Sequence, residues 1–355
     1  MRKKLLVCVL LSLLLLSFAA CSQSSQQAPA QTGDAVGEQP AETVNPAIDG
    51  YPKKNIELIC PSAAGTGFDA LSRKLAEVLP KYLPDEVTIF VSNLNSGGGS
   101  EGWTKAYGAD ADGYTLLLYG IPDSLIAQEL YERPYDIKEM TPLAGLTYEP
   151  TTCLAYIDSD VNTLDELMEK AKTKPVVYGT SGAGGSTHLE ALVTTTVLDI
   201  PARFVHFSAV PEIITSFERG ETEFLSISLP TSLMWISEEK AKPLVVFAKE
   251  RQKELPDVPT IYEVEGVTQE QADKLSDIQQ YRRAVWAPPG MDPELQALLT
   301  DAIQKSVTDP DFAAWSEEVG RPITFVPGTE FGTFVESMYD NHSAMMDVYR
   351  DAIVN

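Results

Sequence analysis

From Asn55 onward the chain alternates short apolar runs with segments of helical periodicity, and that alternation most limits what it can fold into. NIELIC (55–60) ends at Pro61. FDALSRKLAEVLPKYL follows, with Leu71, Leu75, Val78 and Leu79 at helical spacing. VTIFV (87–91) is rich in β-branched residues. The glycine cluster Ser96-Gly97-Gly98-Gly99 leads into a predicted helix near 100–108, and YTLLLY (114–119) is a further buried strand. A β-α-β-α-β order needs crossovers on the sheet faces, so it predicts a parallel sheet flanked by helices.

A second series begins near Cys153 with CLAYI. TLDELMEKAK opens on Thr163 with Glu166 three residues on, the pattern of a capping box. PVVYG then runs through the small-residue loop Thr180–Thr187 into a helix, HLEALVTTTVL. RFVHF, a helix from Pro211, EFLSISLP and KPLVVFAK continue the alternation, and AVWA (284–287) ends at Pro288-Pro289-Gly290. Helices are predicted over 292–308, 310–319 and 329–350, with a short strand, ITFV, before the last. No internal repeat of fixed period is present. The expectation is an α/β fold of two lobes, each a mostly parallel sheet flanked by helices, joined by hinge crossover strands. Lobe 1 takes 51–152 and 281–355, and lobe 2 takes 153–280.

The N-terminus reads as an address. Arg2, Lys3 and Lys4 precede an apolar run from Leu5 to Leu16, then Phe18-Ala19-Ala20-Cys21. That order marks residues 1–20 as a secretory signal, too short to span a membrane comfortably. A cysteine directly after Ala-Ala resembles a bacterial lipobox, which implies cleavage before Cys21 and lipid on its sulfur. The other reading is an ordinary secretory signal with an incidental cysteine. Residues 22–50 contain no aromatic and no Leu. Such a stretch cannot bury enough apolar surface to order itself, so 21–50 reads as a lipidated Cys plus a flexible tether, about 30 Å end to end as a coil. A tether favours the lipid reading. It places the protein outside the cytoplasm, anchored to the cell membrane.

The formal charge is −24, and it becomes −27 once the three signal cations are removed. No basic patch is available to meet phosphates, so nucleic acid is excluded as a partner. Cys60 and Cys153 remain after Cys8 leaves with the signal and Cys21 takes lipid. Both sit in strand-like runs and read as buried thiols, although export permits a bond between them. No metal-ligand spacing, P-loop or dinucleotide fingerprint is present, so neither metal nor cofactor is expected.

Several stretches in order resemble the tripartite tricarboxylate transporter receptor family, also called TctC or Bug proteins. They are Tyr51-Pro52 and the loop Pro61-Ser62-Ala63-Ala64-Gly65-Thr66-Gly67-Phe68-Asp69, then Asn93-Leu94-Asn95-Ser96-Gly97-Gly98-Gly99 and Asp112-Gly113-Tyr114-Thr115-Leu116. Tyr178-Gly179-Thr180-Ser181-Gly182, Leu255-Pro256-Asp257-Val258-Pro259-Thr260 and Ala287-Pro288-Pro289-Gly290 complete the set. Departures fall near the loops: Ser62 and Phe68 stand where the family often has Phe and Thr. Leu94 replaces a usual Arg, and His206-Phe207-Ser208 lies where Tyr-Lys-Gly is common. The resemblance implies a type II periplasmic-binding-protein fold, a receptor rather than an enzyme. It would act as a monomer that delivers a small organic carboxylate to membrane permease subunits.

Two loops share one design. Each follows a parallel strand, is rich in small residues and opens a helix, so its backbone can approach an anion closely at the helix start. The resemblance implies that both grip a ligand carboxylate, through Ala63, Ala64, Gly65 and Thr66 on the first and Ser181, Gly182, Ser186 and Thr187 on the second. Asp69 is read as a helix-start charge or as a ligand contact or loop orienter. His188 is read as a packing residue or a ligand contact. His206, Ser208 and Ser228 are further cleft candidates by alignment. A different class of function, a sensory receptor signalling occupancy to a partner, fits the same features. Gly179-Thr180-Ser181-Gly182-Ala183 imitates a nucleophile elbow, but no His stands in a triad arrangement with Ser181, which weighs against a Ser hydrolase.

Overall fold

The computed structural model describes residues 48–354, and the readings of the signal, Cys21 and the tether lie outside them. The strands are β1 (Ile56–Cys60), β2 (Ile89–Asn93), β3 (Thr115–Ile121), β4 (Thr141–Gly145), β5 (Glu149–Tyr156), β6 (Val176–Thr180), β7 (Ala202–His206), β8 (Phe224–Ser228), β9 (Ala241–Val246), β10 (Gln280–Ala287) and β11 (Val326–Pro327). They are laid out as two halves with one order. The first half runs β2-β1-β3-β10-β4, and the second runs β7-β6-β8-β5-β9. In each, three strands pair in parallel: Ile56 lies opposite Ile89 and Glu57 opposite Thr115 in the first. Val176 opposite Ala202 and Tyr178 opposite Phe224 correspond in the second.

The fourth strand of each half is antiparallel and belongs to a crossover. β10 pairs with β3 and β4 through Ala284, opposite Tyr119 and Gly145. β5 pairs with β8 and β9 through Cys153, opposite Ser226 and Val245. The two crossovers touch each other where Tyr281 lies opposite Glu149. This contact joins the halves at the position expected for the hinge.

The cores follow the sequence pattern. β1 buries Ile56, Leu58, Ile59 and Cys60 completely, as a strand covered on both faces requires. Leu71, Leu75, Val78 and Leu79, the apolar face read from spacing, are all fully buried beneath the first half. Each such side chain contributes about 1.5–3 kcal/mol relative to exposure. Leu164, Leu167 and Ala171 do the same for the second half. Cys60 and Cys153 are free and buried.

The differences from expectation are local. The Thr163 hydroxyl accepts from Glu166 N at 3.2 Å, but the Glu166 carboxylate takes the Asn162 N–H at 2.6 Å, so the capping box forms only its first half. β10 begins at Gln280 rather than 284, because Gln280, Arg282 and Arg283 are strand residues of the hinge and carry no apolar signal. β4, with Pro142 and Gly145, and the helices Asp123–Leu130, Leu229–Ser237 and Gln269–Ile278 were not legible as elements. The single helix predicted over 329–350 is two, Gly328–Ser343 and Met346–Ile353, and only Val326–Pro327 of the ITFV region pairs in a sheet.

Candidate functional site

The first loop joins β1 to the helix Gly67–Val78. Ala63, Ala64 and Gly65 are exposed on it. Gly65 has φ +84°, with no atom within 4 Å of where a Cβ would stand. The backbone there is left-handed and its front is open. Thr66 caps the helix: its hydroxyl accepts from Asp69 N (3.3 Å), donates to Ala63 O (2.8 Å) and shares a bond with Ser62 Oγ (2.9 Å). Asp69 is buried and holds the loop. Its carboxylate accepts from Gly65 N (2.9 Å), Asn93 Nδ2 (2.9 Å) and Arg73 Nε (3.0 Å). The Arg73 hydrogen bond, with those from Gly65 and Asn93, holds the Asp69 carboxyl down at about 2 against desolvation. Asp69 is therefore a loop orienter, already committed on both oxygens.

The second loop joins β6 to the helix Ser186–Val197. Gly182 has φ +89° and, like Gly65, an open front. The latch here is neutral. Thr187 Oγ1 accepts from Ser181 N at 2.7 Å and shares a bond with Ser181 Oγ at 2.9 Å. His188, 1% exposed, accepts the Gly184 N–H on Nδ1 at 3.0 Å. Burial, with the neighbouring His206, pushes the His188 imidazole down to about 4, so it is neutral at physiological pH. In that state Nδ1 is an acceptor.

His206 is exposed. Its ring meets that of His188 at 4.8 Å, and its Nδ1 lies 2.6 Å from Thr180 Oγ1. Ser208 is also exposed, and its N–H is taken by Glu212 at 3.0 Å. Ser228 precedes the helix Leu229–Ser237 and bonds Thr231 at 3.0 Å. His206 therefore joins the second loop through Thr180 and His188, whereas the Ser228 hydroxyl and the Ser208 N–H are taken up by Thr231 and Glu212 of their own segments.

Between the halves lies a cavity of about 20 Å³, lined by Asp123, Ser186, Glu190, Tyr281 and His342 among others. That is room for one water. Ser186 is the residue named from sequence that reaches it. Glu190 Oε2 and His342 Nε2 are buried without a hydrogen bond in the chain. Desolvation raises Asp123 to about 6 and raises Glu190, and it lowers His342 to about 3.

On the hinge, Glu149 is 2% exposed. One of its oxygens accepts from Arg283 Nε (2.8 Å) and from Arg321 Nη1 (2.6 Å). Burial alone would raise the Glu149 carboxyl, but the two guanidinium groups hold it below its ordinary value. Sequence reasoning missed this trio, as well as Asn93 and Arg73. Only Arg73, four residues from Asp69 on one helix, had a local signal. Among the described residues no group of three or more His, Cys, Asp or Glu is placed to hold a metal ion, and no helix is long and apolar enough to cross a membrane.

Comparison with known proteins agrees with this fold. The family model for the tripartite tricarboxylate transporter family receptor matches residues 71–336. A UPF0065 protein from the TAR-I ttuE-ttuC' intergenic region of Agrobacterium vitis is 27% identical over 268 residues, 74% of each chain. The crystal structure of a TctC solute binding protein from Polaromonas, without ligand, superposes with a TM-score of 0.72 at 25% identity, covering 85% of this chain and 99% of that one. MatC from Rhodopseudomonas palustris, with bound malate, superposes with a TM-score of 0.64 at 22% identity, covering 84% and 100%.

Proposed function

The chain belongs to the tripartite tricarboxylate transporter receptor family, and from that premise we propose that it is a lipid-anchored receptor. It captures a small carboxylate between two lobes and presents it to membrane permease subunits. The observation that carries the ligand reading is the matched pair of loops. Each places a positive-φ glycine with an open front beside the start of a helix of twelve residues, and each is held rigid by side chains of its own helix. The first N–H groups of such helices have no intrahelical partner, and the dipole favours an anion there. Malate bound to MatC supports the same chemistry.

We take the lobes as 51–152 with 281–355, and 153–280. Both divisions fall within a crossover strand, β5 or the start of β10. Ligand bridging both loops would hold the lobes closed, by as much as its affinity for the closed form exceeds that for the open one. Lipid at Cys21 would keep the receptor near its permease; a mature N-terminus without lipid mass would refute the anchor. No catalytic step is proposed: Ser181 is bonded to Thr187, and the nearest histidine of its helix, His188, spends Nδ1 on Gly184.

The test is a thermal-shift screen of carboxylates, amino acids, sugars and amines, with calorimetry and solution scattering on the best hit. A carboxylate should bind and lower the radius of gyration. Ser181→Ala should weaken it about tenfold, the value of one hydrogen bond to a charge. Gly65→Val should weaken it more, because the side chain occupies the open front and a β-branched residue resists positive φ. Binding of neutral sugars alone, or normal binding by Gly65→Val, overturns the two-loop reading.

A further inference from the structure

We infer that Arg283 is an anion-binding residue of the cleft, screened by Phe68, that selects ligands carrying a second acidic group; this rests on the carboxylate reading above. Arg283 and Arg321 share the single carboxylate of Glu149. Two cations against one anion leave this hinge cluster with a net charge of about +1. Arg283 is 8% exposed, and its Nη1 makes no hydrogen bond within the chain. A buried donor on a charged group is expensive to leave unpaired, so a carboxylate brought to it gains both a bond and a counter-charge.

The unpaired nitrogen is aimed at the first helix. It lies 3.9 Å from where a Cβ on Gly67 would stand, and Arg321 Nη2 lies 3.6 Å from the same point. Gly67 is exposed and is the first residue of the helix Gly67–Val78. Two guanidinium groups and a helix start therefore converge beside the first loop. The nearby acids are already committed, Asp69 to Arg73 and Glu149 to the two arginines. Two rings face the Arg283 guanidinium, Tyr281 at 5.9 Å from Cζ and, closer, Phe68. The Phe68 ring lies 4.1 Å from Arg283 Cζ and packs on Tyr119 at 4.5 Å. Phe68 is only partly buried, and a change of its rotamer uncovers Nη1 without moving the backbone.

The experiment is calorimetry on the mature chain with matched acids: succinate against butyrate, glutarate against valerate, adipate against hexanoate. The wild type should prefer at least one diacid over its monoacid by about tenfold or more. Arg283→Gln should lower that diacid's affinity about tenfold and leave the monoacid within about twofold. Gly67→Ala keeps every charge, and its methyl would stand at van der Waals contact with both guanidinium groups. It should cut the same preference, and it carries the test if Arg283→Gln does not fold. Arg282→Gln removes one charge from the opposite face of β10, where Arg282 stacks on Tyr148 at 4.3 Å, and should leave the preference unchanged. An unchanged preference in Arg283→Gln or in Gly67→Ala, or an equal loss in Arg282→Gln, overturns the inference. Equal binding of diacids and monoacids by the wild type overturns it while leaving the carboxylate reading intact. Binding of no acid overturns that reading itself.

Discussion

The two strand-to-helix loops have the same shape and are held by different chemistry. The first is latched by an ionised carboxylate: Asp69 accepts from the Gly65 N–H and is itself fixed by Arg73 and Asn93. The second is latched by a hydroxyl and a neutral imidazole, Thr187 on Ser181 N and His188 on Gly184 N. Each latch reaches back from the opening turn of its own helix. The first works as long as a carboxyl stays charged, down to about 2. The His188 part of the second works only while its imidazole stays neutral, down to about 4. One backbone design thus carries two different acid limits, and the weaker belongs to the second lobe.

Acid titration should separate the loops most. The folded-state value of His188 is about 4, against about 6.5 for an unperturbed imidazole. The unfolded chain therefore takes up the proton first as pH falls. The contribution of neutral His188 is complete above about pH 6.5, declines to pH 4, and amounts to about 3 kcal/mol across that window. Wild-type stability, minus that of His188→Asn, should show this slope in urea unfolding at stepped pH. Amide exchange at Gly184 should rise as pH approaches 4, after correction for the intrinsic rate, while Gly65 stays protected. Equal loss of protection at both amides would break the comparison.

Asp69→Asn should have the next largest effect. It removes the charge but keeps an acceptor oxygen, and half-exposed Arg73 can turn to water, so about 2 kcal/mol of stability should be lost. Its loss should be flat from pH 5 to 8, unlike that of His188. A Gly65 amide no less protected in the variant would show that Asp69 does not hold the loop. Smallest is Thr187→Val, which strands the Ser181 N–H at a partly buried site and should cost about 1 kcal/mol by thermal or urea melt, without pH dependence. A neutral result would mean that His188 alone latches the second loop.

How much of this was legible depends on the range over which each partner acts. The buried face Leu71, Leu75, Val78 and Leu79 follows from spacing within one helix, and the loops follow from small residues placed between a strand and a helix. Asp69 was ambiguous because its helix-start position alone gives a sufficient reason for an acid. Its partner Arg73 is one turn away, but Asn93 comes from another strand and nothing local points to it. Arg283 and Arg321 meet Glu149 across 134 and 172 positions, a separation at which sequence pattern is silent. Arg283, with Gln280 and Arg282, also concealed the first half of β10, since a strand that faces a polar hinge has no apolar alternation to reveal it. The break near Ala344, which divides one long amphipathic pattern into two helices, carries neither Pro nor Gly.

The exchange of crossover strands also sets an order for making the molecule. The first half has its parallel strands near its start, yet β10, which joins β3 to β4, comes about 160 positions after β3. A nascent chain that has not reached Gln280 can pair β1 with β2 and β3, but it has no strand to put between β3 and β4. The second half, whose strands lie between Glu149 and Val246, can close its sheet first. The strands of the second half can therefore pair before the first sheet is complete, although the core beneath them also takes Met345, Met346 and Tyr349 from near the end of the chain. The portion of the described chain that emerges first is thus the portion least able to lock before synthesis is nearly complete.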